Sequence, residues 1–244
     1  MNATARVPAL APFRVRSFRF QWPADLATSW AFEMETLILG WYVLVEGKSV
    51  LLFTVFASLL YIGTLIAPMF GVMGDRIGQR NILCAMRAVY ATLATILTSL
   101  IFAGMLTPVH VLVIAAAMGL VRPSDLGMRA ALIGETMPGD QLMGAVSIQR
   151  TTQDSARIAG ALTGAGLVTT LGMGPAYLVV VSLYAASVLL TLQAGGARRA
   201  PHPAAGATPG PARASPWHDL KQGLAYVWAT PHLRALLLFA FRSI

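Results

Sequence analysis

The sequence predicts an all-α integral membrane protein whose helices cross the bilayer six times. Only 11% of the 244 residues are charged and 56% are hydrophobic, whereas a soluble domain carries about 25% charged residues. The mean hydropathy is +0.65. Three long segments, residues 49–74, 88–121 and 158–197, contain no charged side chain. Because one membrane-spanning helix needs about 20 mostly apolar residues, these segments hold parts of several spans and exclude a soluble globular enzyme.

The apolar runs and the turns between them define six predicted spans. In chain order they cover residues 21–45, 50–72, 82–103, 108–132, 142–171 and 176–192. Short segments that contain charged residues, glycine or proline separate them, at 46–49, 74–80, 104–107, 137–140 and 172–175. Together the six spans form one predicted transmembrane domain over residues 21–193.

The basic residues lie mostly on one side of this predicted domain. With the N-terminus in the cytoplasm, the outer loops contain only Lys48, and the inner side contains Arg6, Arg14, Arg16, Arg19, Arg76, Arg80, Arg129, Arg198, Arg199, Arg213 and Lys221. Lys and Arg in short loops stay on the cytoplasmic side, so both ends of the domain are predicted to face the cytoplasm. The net charge of +8 is therefore interpreted as a topology signal of a protein in a lipid bilayer, and no nucleic-acid partner is predicted.

Three further segments flank the predicted domain. Residues 1–20 are a predicted cytoplasmic N-terminal segment. Residues 194–232 are first rich in Ala, Gly, Pro and Arg and then hold apolar residues at helical spacing, which predicts a cytoplasmic linker with an amphipathic helix. Residues 233–244 are too few to cross the bilayer. We expect them to be the truncated start of a seventh helix, in a chain that is either a fragment of a longer protein or a natural truncation.

A loop that contains glycine and charged residues joins the second and third predicted spans. It includes Gly71, Asp75, Arg76, Gly78 and Arg80. Gly71 lets two helix backbones approach closely, Gly78 permits a tight turn, and the arginines hold the loop on the inner face. One interpretation of the loop is purely topological, and the other is control of a conformational change.

This loop resembles the signature loop G-x-L-A-D-R-x-G-R-[RK] of the major facilitator superfamily. In that family the loop is thought to lock one conformation through contacts with the other half of the transporter. The resemblance therefore makes its five residues, together with Asp125, candidate gating residues. Gln79 replaces the usual first arginine of the R-[RK] pair. The segments around Arg122 and Arg157 look like the branch of siderophore exporters and transmembrane secretion effectors.

The resemblance implies a twelve-helix transporter built from two six-helix halves. This chain would be the first half, an inverted repeat of three plus three helices, and its missing partner would be the C-terminal six-helix half. Transporters of this type bind their substrates near the midplane of the membrane, at corresponding positions of the repeats.

Several charged residues fall inside the predicted spans. An ionisable side chain at the bilayer centre costs about 2.5–3.5 kcal/mol on insertion scales, so it faces a cavity or a partner. Glu33 and Glu35 lie near the middle of the first predicted span, and Asp25 lies nearer the cytoplasm. Two residues apart on a helix, Glu33 and Glu35 point about 200° apart, so we expect one to face the cavity and the other to pair with a neighbouring helix. Arg122 and Arg157 complete the candidates for substrate binding and proton coupling.

A purely structural interpretation competes for some of these charges. Opposite charges three or four residues apart on one helix neutralise each other locally, as in Arg150–Asp154, Asp154–Arg157, Arg122–Asp125 and Asp125–Arg129. We expect this local role for Arg150, Asp154 and Arg129.

The fifth predicted span contains glycines at positions suited to close helix packing. Gly160 and Gly164, with Gly166, form a predicted small-residue face. Drug antiporters of the family often have Gly-Pro in this region, whereas Ala161 follows Gly160 here.

The leading functional prediction is a secondary active transporter that exports an amphipathic small molecule, such as a drug or a siderophore, at the expense of the proton gradient. We expect it in the inner membrane of a bacterium, without a cofactor or a metal. The chain lacks the H-E-x-x-H, G-x-S-x-G and phosphate-binding loop motifs, so no enzymatic activity is predicted. The alternatives are a metabolite uptake carrier of the same superfamily and a truncated membrane protein that transports nothing.

Overall fold

The structure is a computed structural model that describes residues 11–194. These residues belong to the first of the two units into which the chain divides, Met1–Arg199 and Ala200–Ile244. The predicted linker at 194–232, apart from residue 194, and the predicted seventh helix at 233–244 lie outside the described residues. So does most of the predicted segment 1–20.

Every regular element within residues 11–194 is helical. A short 3-10 turn at Ala11–Arg14 precedes α1, and a second one at Ile62–Leu65 lies between α2 and α3. The α-helices are α1 Arg16–Gly47, α2 Val50–Leu59, α3 Ala67–Ile77, α4 Gln79–Phe102, α5 Pro108–Thr136, α6 Gly139–Leu171 and α7 Met173–Gln193.

Three of the described helices, α4, α5 and α7, are long and apolar enough to cross a membrane. The bent pair formed by α2 and α3 makes a fourth candidate span. With 32 and 33 residues, α1 and α6 have the length of a span, but both carry charged side chains near their middle. The described residues are therefore those of an all-helical, multi-pass membrane protein, and six spans with a three-plus-three repeat stay a prediction.

The second predicted span, 50–72, is divided between α2 and α3. Its two halves meet at an angle of 44°. The sequence supplies two causes. Pro68 in the first turn of α3 has no N–H group to donate to the preceding turn. Gly63 lies so close to α5 that a Cβ atom there would overlap the carbonyl groups of Gly119 and Leu120.

The ends of several helices follow from single residues. Ser49 and Thr107 precede α2 and α5, and each side-chain oxygen accepts a backbone N–H three residues further on, at 3.4 Å. Gly78 and Gly172 lie between α3 and α4 and between α6 and α7, with φ angles of 96° and 85°. Because L-residues with a side chain rarely adopt this conformation, glycine fixes both turns, which fall in the predicted loops.

Helix α1 lies between α2, α5, α6 and α7 and makes the central contacts of the core. Two of its tryptophans donate to threonines of α6, Trp22 to Thr152 and Trp30 to Thr163, each at 2.8 Å. On another face, the Phe32 ring packs edge-on against Tyr90 of α4 and Tyr184 of α7, with centroids 4.8 and 5.7 Å apart. These polar and aromatic contacts fix the depth of α1 among its neighbours.

Two glycines of α6 bring its backbone against α1. A Cβ atom on Gly160 would lie 2.9 Å from the Trp30 carbonyl oxygen, and one on Gly164 would lie 3.1 Å from the Met34 Cα. Gly166 has open space around it. The small-residue face toward α1 therefore consists of Gly160 and Gly164, without Gly166.

Replacing Gly160 and Gly166 by alanine is expected to have opposite effects on stability. Gly160→Ala forces α1 and α6 apart, and overpacking of this kind typically costs about 1–3 kcal/mol. Gly166→Ala adds a better helix former in open space, which is worth about 0.5–1 kcal/mol. Thermal unfolding of the detergent-purified full chain measures both. A Gly160→Ala protein as stable as the Gly166→Ala protein would contradict the close contact.

Candidate functional site

Glu33 and Glu35 lie within about one turn of the middle of α1 and contact different helices. Glu35 is buried and faces α7, whereas Glu33 is about a quarter exposed and faces α5 and α6. Their separation by two residues on one helix causes this divergence.

Two tyrosines of α7 hold the Glu35 carboxylate. Tyr184 donates its hydroxyl to Oε2 at 2.7 Å, and Tyr177 donates to Oε1 at 3.2 Å. Both tyrosines are fully buried. The Glu35 carboxylate therefore accepts two hydrogen bonds. Among the described residues no Lys, Arg or His lies within ion-pair distance of it.

A narrow pocket opens beside Glu35 between α1, α2 and α5. Its lining is mostly apolar, with two polar groups besides Glu35, and consists of Phe32, Glu35, Thr36, Leu39, Phe56, Leu60, Ala115, Met118 and Arg122. In this conformation the pocket has room for about one water molecule.

Arg122 and Arg157 converge on Glu33 from two helices. Arg122 lies at the middle of α5, and its Nη2 is 3.8 Å from Glu33 Oε1. Arg157 lies near the middle of α6, and its Nε is also 3.8 Å from Oε1. Arg122 further donates to Thr36 Oγ1 at 2.9 Å, and its guanidinium carbon lies 4.8 Å from the centre of the Phe32 ring. The structure thus brings four of the five predicted binding residues together.

The fifth, Asp25, lies in a separate group of buried charges, here called the inner charge cluster, which consists of Asp25, Arg87, Asp125 and Arg129. Eight residues separate Asp25 from Glu33, which is about 12 Å along a helix. Asp25 pairs with Arg87 and lies 3.6 Å from Arg129, and Arg129 pairs with Asp125 at 2.5 Å. All four residues are at most 3% exposed.

The inner charge cluster is balanced, with two carboxylates and two guanidinium groups from α1, α4 and α5. Arg129 also donates to the Ser29 hydroxyl at 2.8 Å and to the Asp25 carbonyl at 3.2 Å. Arg87 donates to the Thr191 hydroxyl of α7. The cluster therefore ties four helices together near the predicted cytoplasmic side.

The signature loop joins the same region through Arg80. Its side chain donates to the Thr191 carbonyl at 3.2 Å and to the Leu192 carbonyl, where a cation also interacts favourably with the helix dipole. Arg76 is exposed, and Gly71 has open space around it, so no close backbone contact is made there by the described residues. The Asp75 side chain is outside what the structure describes.

The predicted local ion pairs form in two of four cases. Asp125–Arg129 is buried, and Arg150–Asp154 is exposed with 3.9 Å between the charged atoms. Arg122 and Arg157 pair with Glu33 on α1 instead of with acidic residues on their own helices.

Sequence reasoning missed Arg87, Tyr177 and Tyr184. Arg87 directly precedes the uncharged segment 88–121 and lies within the first turns of the third predicted span. The rule that a charged side chain inside a span needs a cavity or a partner, which drew attention to Glu33, would therefore have found it. The tyrosines gave no such signal, because tyrosine is common both in cores and at membrane interfaces.

Within residues 11–194, no group of three or more His, Cys, Asp or Glu side chains could hold a metal ion. The chemistry that the described site offers is binding of charged or hydrogen-bonding groups and transfer of protons.

Removing one charge of the inner charge cluster is expected to destabilise the protein strongly. Asp25→Asn leaves two buried guanidinium groups with one carboxylate, and breaking a buried pair typically costs about 3–5 kcal/mol. For a chain of this size we expect a melting temperature lower by about 6 °C or more. Thermal unfolding in detergent measures this, and the exposed Asp154→Asn is the matched control. Adding Arg87→Gln restores the balance, so the double variant should lose less than the two single variants together. Strict additivity would contradict the cluster.

The chain matches the model of a known protein family. The family model described as transmembrane secretion effector matches residues 7–241, which is nearly the whole chain. No curated protein and no solved structure matches the chain. The matched family is one of transporters. The chain therefore belongs to the transmembrane secretion effector family of the major facilitator superfamily.

Proposed function

We propose that the protein is a secondary active transporter that exports an amphipathic small molecule in exchange for protons. The observation that carries this proposal is the group of charged side chains at the middle of α1, α5 and α6. Charges at that depth are costly in a membrane unless they face a cavity or each other. The word secretion in the description of the matched family favours export over the uptake of a metabolite.

Glu35 is the residue to which we assign the proton. Its carboxylate is buried, lies against the pocket and is held by two hydroxyl groups, with no cation in ion-pair contact among residues 11–194. A bound proton removes the buried charge, and a tyrosine hydroxyl can bond to the carboxyl group in either state. Proton binding and release at Glu35 can therefore proceed without a rearrangement of α7.

The inner charge cluster and Arg80 are assigned a mechanical role. They join the inner ends of α1, α4, α5 and α7, so these helices can move as one body. Alternating access then follows from rocking of this body against a second six-helix half around the fixed site, with the signature loop at the boundary. We place this second half C-terminal to the six-helix domain.

Glu35→Gln is expected to abolish proton-driven transport. The assay uses inverted bacterial membrane vesicles that contain the full-length chain, with an acidic lumen. The probes share one fluorophore: 6-(dansylamino)hexanoic acid, its primary amide and dansylcadaverine. In inverted vesicles, export from the cell corresponds to accumulation of the probe in the lumen. The measured quantity is this accumulation after subtraction of the accumulation in vesicles without the protein. We expect at least one probe to accumulate, and Glu35→Gln to lower its gradient-driven accumulation about tenfold or more.

Glu46→Gln is the matched control, because Glu46 is an exposed glutamate at the C-terminal end of the same helix. Probe accumulation in this variant should equal that of the unaltered chain. Full dependence on the pH gradient in the Glu35→Gln protein would contradict the assignment. If none of the three probes accumulated, proton-driven export itself would be contradicted.

We propose a cytoplasmic N-terminus in a bacterial inner membrane. Cys84 is the only cysteine, so Cys84→Ser gives a background for single-cysteine labelling. Met105→Cys lies in the exposed turn between α4 and α5, and Asp140→Cys lies in the exposed first turn of α6. In intact cells an impermeant maleimide should label the cysteine at 105 and leave the one at 140 unlabelled until the membrane is opened. The reverse pattern would overturn the orientation.

A further inference from the structure

The charges around Glu33 are unbalanced, unlike those of the inner charge cluster. Glu33 Oε1 lies 3.8 Å from Arg122 Nη2 and 3.8 Å from Arg157 Nε. Within ion-pair distance two guanidinium groups thus share one carboxylate, and one positive charge is left over when Glu35, the other carboxylate of the pocket, carries its proton. Both distances exceed the reach of a hydrogen bond, which is about 2.7–3.2 Å for N–H···O. Glu33 therefore neutralises the arginines only in part and from a distance.

Both arginines also keep unused hydrogen-bond donors. A guanidinium group carries five N–H donors in a planar fork that matches a carboxylate. Among the described residues, Arg122 donates one hydrogen bond, to Thr36, and Arg157 donates none. The Arg157 side chain is 72% exposed and that of Arg122 is 22% exposed, so a ligand can reach both.

An apolar surface lies directly beside the two arginines. The ring of Phe32 lies under the Arg122 guanidinium, and the pocket continues along Leu39, Phe56 and Met118. Surplus positive charge with free donors next to apolar side chains matches a molecule that has one negative group and an apolar body.

We propose that Glu33, Arg122 and Arg157 form a binding site for an amphipathic carboxylate. The carboxylate of the ligand takes the free donors of both arginines, and its apolar part enters the pocket lined by Phe32, which has to widen beyond the room for about one water molecule that it has in this conformation. Glu33 occupies the place of the ligand when the site is empty and turns away when the ligand binds. This inference rests on the proposed transport function and names its substrate class.

The same charges disfavour a cationic substrate. A cation at this site would have to compete with two arginines for Glu33, and it would approach the surplus positive charge. Glu35, the other carboxylate, accepts hydrogen bonds from Tyr177 and Tyr184 and is neutral when it carries its proton. A neutral molecule would gain the apolar contacts but none of the charge-assisted hydrogen bonds.

Equilibrium binding to the purified full chain in nanodiscs tests the site without any gradient. Fluorescence anisotropy follows 6-(dansylamino)hexanoic acid, its primary amide and dansylcadaverine, which carry a negative, no and a positive charge. We expect the acid to bind at least tenfold more tightly than either of the other two probes. Saturable binding of the acid that is no tighter than that of the amide, or no binding of the acid up to millimolar concentration, would overturn the site.

Variants of the three residues give opposite expected signs. Arg157→Gln and Arg122→Gln should each weaken binding of the acid about tenfold and leave binding of the amide unchanged. Glu33→Gln should strengthen binding of the acid several-fold, because it removes both the internal competitor and a like charge. The control is Arg150→Gln, because Arg150 lies on α6 like Arg157 and its side chain is exposed and paired with Asp154. This variant should bind the acid as the unaltered chain does. Thermal unfolding confirms that each variant is folded.

The sign of the Glu33→Gln effect distinguishes a binding site from an ion pair with a purely structural role. If the ion pair were structural, breaking it would weaken binding of the acid. Weaker or unchanged binding of the acid in that variant would contradict the proposal. The transport assay distinguishes the two levels of inference. If the acid binds in an arginine-dependent way but does not accumulate with the gradient, the site stands and proton-driven export is refuted. If only dansylcadaverine or the amide accumulates, proton-driven export stands and the carboxylate site is refuted.

Discussion

The structure depends on the neutralisation of charges within membrane-spanning segments. A charge removed from water costs several kcal/mol unless an opposite charge and hydrogen bonds compensate it. The inner charge cluster meets this requirement within residues 11–194, with two carboxylates and two guanidinium groups from three helices, and with Ser29 and Thr191 as further partners. Because each charge there needs the others, the cluster fixes how α1, α4 and α5 pack.

Helix α1 carries the polar groups that organise the rest of the domain. Asp25 contacts α4 and α5, Glu33 contacts α5 and α6, and Glu35 contacts α7. The close approach of Gly160 to the α1 backbone leaves little room for the two helices to slide past each other. In the proposed cycle, ligand binding at Glu33 and proton binding at Glu35 therefore act on one rigid element. Arg122 lies next to both glutamates, because it pairs with Glu33 and lines the same pocket as Glu35.

Hydropathy and the turn residues predict the helices well, because both depend on local sequence. The turn between α6 and α7 falls at Gly172, where the sequence predicts it. The break in the second span was not predictable in this way, since it also depends on the contact of Gly63 with a helix more than fifty residues away. The candidate charges at Glu33, Glu35, Arg122 and Arg157 could be found because charge in an apolar segment is unusual. Their partners could not, since the contacts of Arg157 with α1 and of Glu35 with Tyr184 are set by how the helices pack.

The distances between charged groups separate two kinds of ion pair in this domain. In the inner charge cluster, Arg129 and Asp125 form an ion pair at 2.5 Å and are fully buried, so replacing either partner by an external ligand would first require the buried group to be exposed. Around Glu33, both pairs are 3.8 Å long and partly exposed, so an incoming carboxylate loses little by displacing Glu33 and gains shorter, charge-assisted hydrogen bonds. The same fold thus holds a group of charges that stabilises the helix packing and, about two turns away along α1, a group that can exchange its anionic partner. This physical difference lets one be assigned to structure and the other to binding.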